Sequence, residues 1–225
     1  MANSVRSAAR SLGPRLLTAA VGLPLLMAAV WAGNPWLALL AVTVGASGLR
    51  EILVLANAAT TRTVSRLILS ILGAGYVSMP LAAAVALRSG DDGLEWLCLA
   101  LVGTFATDTS AYAVGRTLGR SKMVPAISPA KTWEGAMGGL LGTGAITLGL
   151  ATFLDLPISS LEALGLGLAI GVLAQFGDLG ESYLKRRAGA KDSGILFPGH
   201  GGLLDRFDSL ALVFPLVYLF ARVVA

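Results

Sequence analysis

The sequence predicts an all-α, polytopic integral membrane protein of about seven transmembrane helices with a cytoplasmic amino terminus, and three observations carry that prediction. First, only 13% of the 225 residues are charged while 55% are hydrophobic, and the mean hydropathy is +0.76. A soluble domain carries about a quarter charged residues because its surface must stay wet, so much of this surface meets lipid. Second, the apolar residues gather into runs close to the ~20 residues that a spanning helix needs. Third, basic residues crowd alternate junctions between those runs, as short cytoplasmic loops do.

The runs are 16–33, 35–57, 66–88, 94–116, 135–155, 161–184 and 203–224. Ahead of them, residues 1–15 carry Arg6, Arg10 and Arg15 and form a short cytoplasmic segment. This segment resembles the basic start of a signal peptide, but no small-residue cleavage site followed by a soluble domain appears, so it is expected to be retained. Arg62 and Arg66 mark the junction of the second and third runs, and Arg116, Arg120, Lys122 and Lys131 that of the fourth and fifth. Lys185, Arg186, Arg187, Lys191 and Arg206 mark that of the sixth and seventh. The other junctions read AGNP, SGDDGLE and LPISSLE, and only Arg88 and Arg222 fall on the outer side. The formal charge of +4 is therefore a topology signal, and no nucleic-acid partner is expected. The fifth run, with GAMGGLLGTGAITLGL, suits close helix packing in lipid. The single cysteine, Cys98, excludes an intrachain disulfide and any cysteine-cluster metal site. Residues 1–225 read as one membrane-embedded domain, with most active-site elements within 105–209.

Acids inside spans are costly, roughly 2.5 to 3.5 kcal/mol at the bilayer centre on insertion scales, and they usually face a polar interior. Asp108, Asp178, Glu181, Asp205 and Asp208 fall at one depth, toward the cytoplasmic ends of three runs. In GDLGESYLKR, Asp178, Ser182 and Lys185 are four and three residues apart and share one helix face. Asp205 and Asp208 are three apart at the start of the seventh run, where a helix amino end favours negative charge. Carboxylates that close stay ionised together only around a cation. An oxygen-rich set with one histidine and no available cysteine suits Mg²⁺ or Mn²⁺ rather than Zn²⁺, and Mg²⁺ completes its shell with water and phosphate.

The loop KDSGILFPGHGGLLDRFDS supports phosphate chemistry separately. Gly194, Gly199, Gly201 and Gly202 permit backbone amides to face an anion, and Lys185, Arg186, Lys191, His200 and Arg206 supply positive donors. No GxxxxGK[ST] pattern is present, so a P-loop ATPase is unsupported. A second cluster, FATDTSAYAVGRTLGRSKMVPAISPAKTWEG, places Asp108, Tyr112 and Gly115 at helical spacing and Ser128, Lys131 and Glu134 in the following loop. Lys131 is a candidate phosphate ligand or a topogenic lysine.

From Ser182 to Asp208, S-x-L-K-R-x4-K-D-S-G-x2-F-P-G-H-G-G-L-x-D-R-F-D resembles the signature of the CDP-diglyceride synthetases, or phosphatidate cytidylyltransferases, without a departure over 27 positions. DTSAYAVGRTLGR and SPAKTWEG also resemble parts of that family, so the resemblance runs from about Phe105 to Ser209. It implies a membrane enzyme that joins phosphatidate to CTP, giving CDP-diacylglycerol and pyrophosphate, with Mg²⁺ required. By that resemblance Asp178 and Asp205 are metal ligands, with Asp208 a further ligand or a group behind them. Ser182 and Lys185 contact substrate phosphate or metal-bound water. Lys191, His200, Gly201, Gly202 and Arg206, with Arg186, hold the triphosphate or the lipid headgroup, and Asp108, Lys131 and Glu134 are further candidates. Such an enzyme is expected in the plasma membrane with its site on the cytoplasmic side. One metal or two, and monomer or homodimer, stay open, as does the role of Arg50 and Glu51 inside the second run.

Two rivals are weaker. The CDP-alcohol phosphotransferase signature DGxxAR followed by GxxxDxxxD is absent. A transporter predicts acids near the midplane and interrupted helices in two related halves, whereas these acids are expected to cluster on the cytoplasmic side of the second half, which favours an enzyme. A sibling transferase acting on another membrane lipid phosphate, such as an archaeal ether lipid, shares the same polar site.

Overall fold

The computed structural model describes residues 20–189 and 202–224, without the side chain of Arg206. Eight helices occur among them: α1 (Ala20–Ala32), α2 (Trp36–Ala59), α3 (Thr63–Arg88), α4 (Gly93–Thr117), α5 (Trp133–Phe153), α6 (Ser160–Arg187), α7 (Leu204–Phe207) and α8 (Leu210–Val224). Helices α2 to α6 are long and apolar enough to cross a membrane. The fold is that of an all-α polytopic membrane protein. Outward-facing Leu39, Val42, Val64, Ile71, Leu141 and Phe153 are largely exposed, as lipid-facing side chains must be.

Each of the seven predicted runs contains a helix, with two differences. The seventh run is broken: the short α7 ends at Phe207 and α8 starts at Leu210. Between them the Asp208 carboxylate accepts from the Ser209 amide at 2.7 Å, a local bond that competes with helix continuation. α8 then has 15 residues, roughly 22 Å of helix, short of the ~30 Å hydrocarbon core. The second difference is a β-hairpin, β1 (Lys122–Val124) against β2 (Ser128–Thr132), where a loop is expected.

Local sequence explains where helices start. Ser159 and Glu162 form a capping box on α6, with the Ser159 amide donating to Glu162 Oε2 at 2.7 Å and the Glu162 amide to Ser159 Oγ at 3.3 Å. Thr132 Oγ1 accepts from the Gly135 amide at 3.1 Å and starts α5 directly from the end of β2. At the opposite end, Arg88 Nε donates to the Val30 carbonyl at 2.8 Å, closing the last turn of α1.

Short connections make consecutive long helices antiparallel neighbours, with α5 packed on both α4 and α6, and α8 against α3, α4 and α6. Small residues let α4, α5 and α6 approach closely. A Cβ at Gly135 would lie 2.8 Å from the Ala111 carbonyl oxygen, and one at Gly167 would lie 2.9 Å from Gly144 Cα and 3.0 Å from the Thr143 carbonyl oxygen. Across the α4–α5 contact the buried Thr107 and Thr143 hydroxyls bond at 2.6 Å. In lipid, such contacts drive association, because the tails are as apolar as the helices. Trp96, Leu97, Leu99, Ile170, Val213 and Val217 complete the buried core. Gly167→Leu is expected to destabilise the bundle by about 1–3 kcal/mol through overpacking, seen as a lower unfolding temperature of the detergent-solubilised protein by circular dichroism.

Candidate active site

The polar residues meet where α6, α7 and the hairpin converge. Asp178 and Ser182 are one helical turn apart on α6, and Ser182 Oγ donates to Asp178 Oδ1 at 3.3 Å. The other Asp178 oxygen meets Lys131, whose Nζ reaches Oδ2 at 2.7 Å from strand β2. The hairpin therefore carries Lys131 over α6. It is held there at both ends. The Glu134 carboxylate accepts from the Arg120 and Ser121 amides at 3.1 Å each, and the Trp133 amide donates to the Ser121 carbonyl at 3.0 Å. At the tip, Arg186 Nε donates to the Ile127 carbonyl at 3.3 Å.

One turn further along α6, Lys185 Nζ lies 2.5 Å from Glu181 Oε2 and 2.6 Å from Asp205 Oδ1. Glu181 is only 3% exposed, so its neutralisation has to come from within the protein. Asp205 Oδ2 also accepts from the Gly202 amide at 2.7 Å, capping the turn that opens α7.

A glutamate far away in sequence fixes α7. Glu51 on α2 is 8% exposed, and its two oxygens accept from the Leu203 and Leu204 amides at 2.9 and 3.1 Å. On the other side of the turn Tyr76 Oη donates to the Asp208 carbonyl at 3.2 Å. Gly177 of α6 packs there too, since a Cβ at that position would overlap the Asp208 carbonyl oxygen. Asp108 of α4 is in the electrostatic neighbourhood of Asp178 and Lys131, and Asp208 in that of Asp178, Asp108 and Lys185. Five carboxylates thus surround two lysines.

Residues 55–224, about three quarters of the chain, match the profile of the Cytidylyltransferase family. The chain belongs to this family. Similar curated proteins include the phosphatidate cytidylyltransferase of Staphylococcus aureus (strain COL), 44% identical over 126 residues, which are 56% of this chain and 48% of the relative. The protein of that name from Bacillus subtilis (strain 168) is 44% identical over 152 residues, 65% of this chain and 55% of the relative. That of Staphylococcus haemolyticus is 40% identical over 147 residues, 65% and 56% of the two chains. The chain spans about half the length of the curated relatives it matches.

Several of the candidate residues are brought together among the described residues. Asp178, Ser182 and Lys185 share the α6 face as their spacing predicts, and Lys131, Asp205, Asp208 and Asp108 gather around it. Four placements differ from expectation. Asp205 and Asp208 are engaged separately, one by Lys185 and Gly202, the other by the Ser209 amide. The Gly202 amide donates to Asp205, not toward an external anion. Arg186 reaches the hairpin tip, and Glu134 holds the hairpin base. Lys191, His200, Gly201 and the Arg206 side chain lie outside the described residues.

Glu51, Tyr76 and Glu181 are the site residues that sequence reasoning left without a role. Glu51 precedes the region that matches the family. Its signal was visible as an acid within an apolar run, but its partners are 152 and 153 residues away.

Among the described residues, no three His, Cys, Asp or Glu side chains converge as metal ligands. The donor set nevertheless fits a hard divalent cation, being all oxygen and holding more carboxylates than lysines. Glu51→Ala is expected to leave two amides at the start of α7 without their acceptor, a cost of about 1–3 kcal/mol per unsatisfied group. Hydrogen–deuterium exchange should then speed up in the peptide containing Leu203 and Leu204 while that of α4 and α5 stays as in the wild type.

Proposed function

We propose that this chain is a phosphatidate cytidylyltransferase, transferring CMP from CTP to phosphatidate in phospholipid biosynthesis. The observation that carries the reading is Lys185, a cation shared between Glu181 and Asp205 at the junction of α6 and α7, within the part of the chain that matches the family. The relatives' names give the reaction, and the residues suit it.

In that reaction a phosphatidate phosphate oxygen attacks the α-phosphorus of CTP. The new P–O bond forms as the bond to the β-phosphate oxygen breaks, and pyrophosphate leaves with the electron pair. The chain itself need not supply a nucleophile, so its residues position the two phosphates and balance their charge. Lys131 and Lys185 are mounted on separate elements, each held by carboxylates, and each offers donors to an incoming phosphate oxygen. Ser182 orients Asp178. Asp178, Asp205 and Asp208 are the residues to hold Mg²⁺. When bound, that ion supplies positive charge to the transferring phosphoryl group and the departing pyrophosphate.

The glycine- and base-rich sequence between α6 and α7, with Lys191, His200 and Gly201, suits a triphosphate-binding loop, and Arg206 follows it within α7. The basic junctions favour a cytoplasmic amino terminus and a cytoplasm-facing site in the plasma membrane, where CTP is supplied.

Purified protein in detergent, given labelled CTP and phosphatidate, is expected to form lipid-linked CMP with Mg²⁺ and to stop when the metal is chelated. Absence of product with any phosphatidate-like acceptor would sink this reading. Asp205→Asn removes the charge that Lys185 and the Gly202 amide both engage, and a fall of about 10²-fold or more in kcat is expected for such a group. Near wild-type turnover in correctly inserted protein removes Asp205 from the site. Orientation is read independently: a cysteine at Gly90 in a Cys98→Ala background should react with an impermeant thiol reagent applied outside the cell.

A further inference from the structure

Beside the acid cluster lies a partly open apolar pocket of about 500 Å³, lined by α1, α2, α3, α4 and the α7–α8 turn. Its lining carries no charged or hydrogen-bonding side chain. Its position relative to the polar residues is the same on every helix that carries both. On α4 the lining residues Leu101 and Phe105 precede Asp108, and on α2 Ala41 and Val44 precede Glu51. On the oppositely directed α3, Ala84 follows Tyr76, and Phe214 of α8 follows Asp208 in the turn that precedes that helix. Each of these steps leads away from the end of the bundle that holds the hairpin. Polar groups therefore form one layer and the pocket forms the next, deeper layer. The two share a wall in α7, which presents Asp205 to Lys185 while Leu203 and Phe207 line the pocket.

We propose that this pocket is a binding site for one acyl chain of the lipid acceptor. The inference rests on the phosphatidate reading above and adds the tail site that goes with the headgroup site. A molecule that fills both layers needs an anionic phosphate for Lys131 and Lys185 and an unbranched apolar chain joined to it through a short linker, which is the build of a phosphate-headed glycerolipid. From Leu97 to Phe105 the pocket follows α4 for roughly 12 Å, close to the ~15 Å depth of one leaflet's hydrocarbon. Burial of tail methylenes there contributes binding energy remote from the reacting phosphate, which serves to hold that phosphate in line. Ala41 is the position where volume can be added most directly, being a small residue in the α2 wall.

Two measurements test the proposal. In the first, Ala41→Phe and, separately, Val44→Phe are assayed with a long-tailed and a short-tailed phosphatidate. The ratio of kcat/KM for long over short tails is expected to fall about tenfold, the effect of expelling roughly two methylenes from an apolar site. An unchanged ratio in both variants overturns the proposal. In the second, wild-type protein is irradiated with phosphatidate bearing a diazirine near the end of one tail, and the labelled peptides are identified. Labels are expected on α2, α4 and α8 around Ala41, Leu101 and Phe214, and weaker there with a phosphatidylcholine carrying the same tail. Equal labelling by both lipids, or labelling confined to outward-facing residues such as Val64 and Ile71, overturns it. Should the wild type turn over no phosphatidate at all, the proposed reaction fails while the labelling still decides the pocket.

Discussion

The placement of Asp205 depends on a carboxylate that belongs to another helix. A four-residue helix has no intrahelical partners for its first amides and is far too short to persist alone. In α7 those amides point into an apolar bundle where water cannot replace a missing acceptor. Glu51 supplies both acceptors, and its negative charge sits at the helix amino end, where the backbone dipoles favour it. From that cap a continuous set of contacts runs across the protein: Glu51 holds α7, α7 presents Asp205, Asp205 holds Lys185, and Lys185 neutralises Glu181 on α6. Breaking the first contact leaves α7 held only from its other end, where Tyr76 and Gly177 meet Asp208. Breaking a later one leaves a charge buried without its partner, which is the more damaging way to disturb an ion pair.

The charge balance of the cluster bears on the chemistry. Five carboxylates face two lysines, and the proposed substrates bring phosphates that are negative as well. Anionic substrates enter an anionic site only with cations between them, and oxygen ligands without sulfur favour a hard divalent ion. The lysines set where phosphate can go, because each is already fixed by a carboxylate on a rigid element. Two lysines do not balance five carboxylates, and the remaining negative charge is what a divalent cation would offset. Acid excess and phosphate binding, contradictory in a metal-free site, become compatible requirements once Mg²⁺ is part of the reaction.

Much of this was legible in the sequence for reasons that differ by element. The helices were visible because a span in lipid must be apolar along its whole length, and that requirement leaves a hydropathy signal without reference to any neighbour. The Asp178, Ser182 and Lys185 face was visible because helical spacing alone puts these residues together. The hairpin was not. Its strands are three and five residues long, and what holds them is Glu134 on two backbone amides and Arg186 on a carbonyl, contacts that no local propensity encodes. The break in the seventh run was hidden for the opposite reason, since an apolar run reads as continuous even when one side-chain bond from Asp208 ends the helix. Glu51 was conspicuous as an acid in an apolar run, but its partners are backbone groups more than 150 positions away, and a backbone amide has no identity that a sequence can reveal.

The two halves of the chain contribute different surfaces to the site and the pocket. Helices α4, α5 and α6 meet through glycines whose neighbours leave no room for a methyl group, and a threonine pair bonds across the contact. Such a contact has one register, which is what a site needs if a lysine and an aspartate on separate elements are to stay within 3 Å. Helices α1 and α2 instead contribute aliphatic side chains to the wall of a pocket, a surface that tolerates changes of size without losing its polarity. The match to the family begins at residue 55, so the α1 and α2 wall from Gly22 to Val44 lies before it, while the α4, α7 and α8 walls lie within it. The polar chemistry therefore sits in the part of the chain that the family shares. One wall of the apolar pocket lies before the matched residues, and under the proposed tail-binding role that wall is where a preference for one lipid tail over another can change without disturbing the acids and lysines above it.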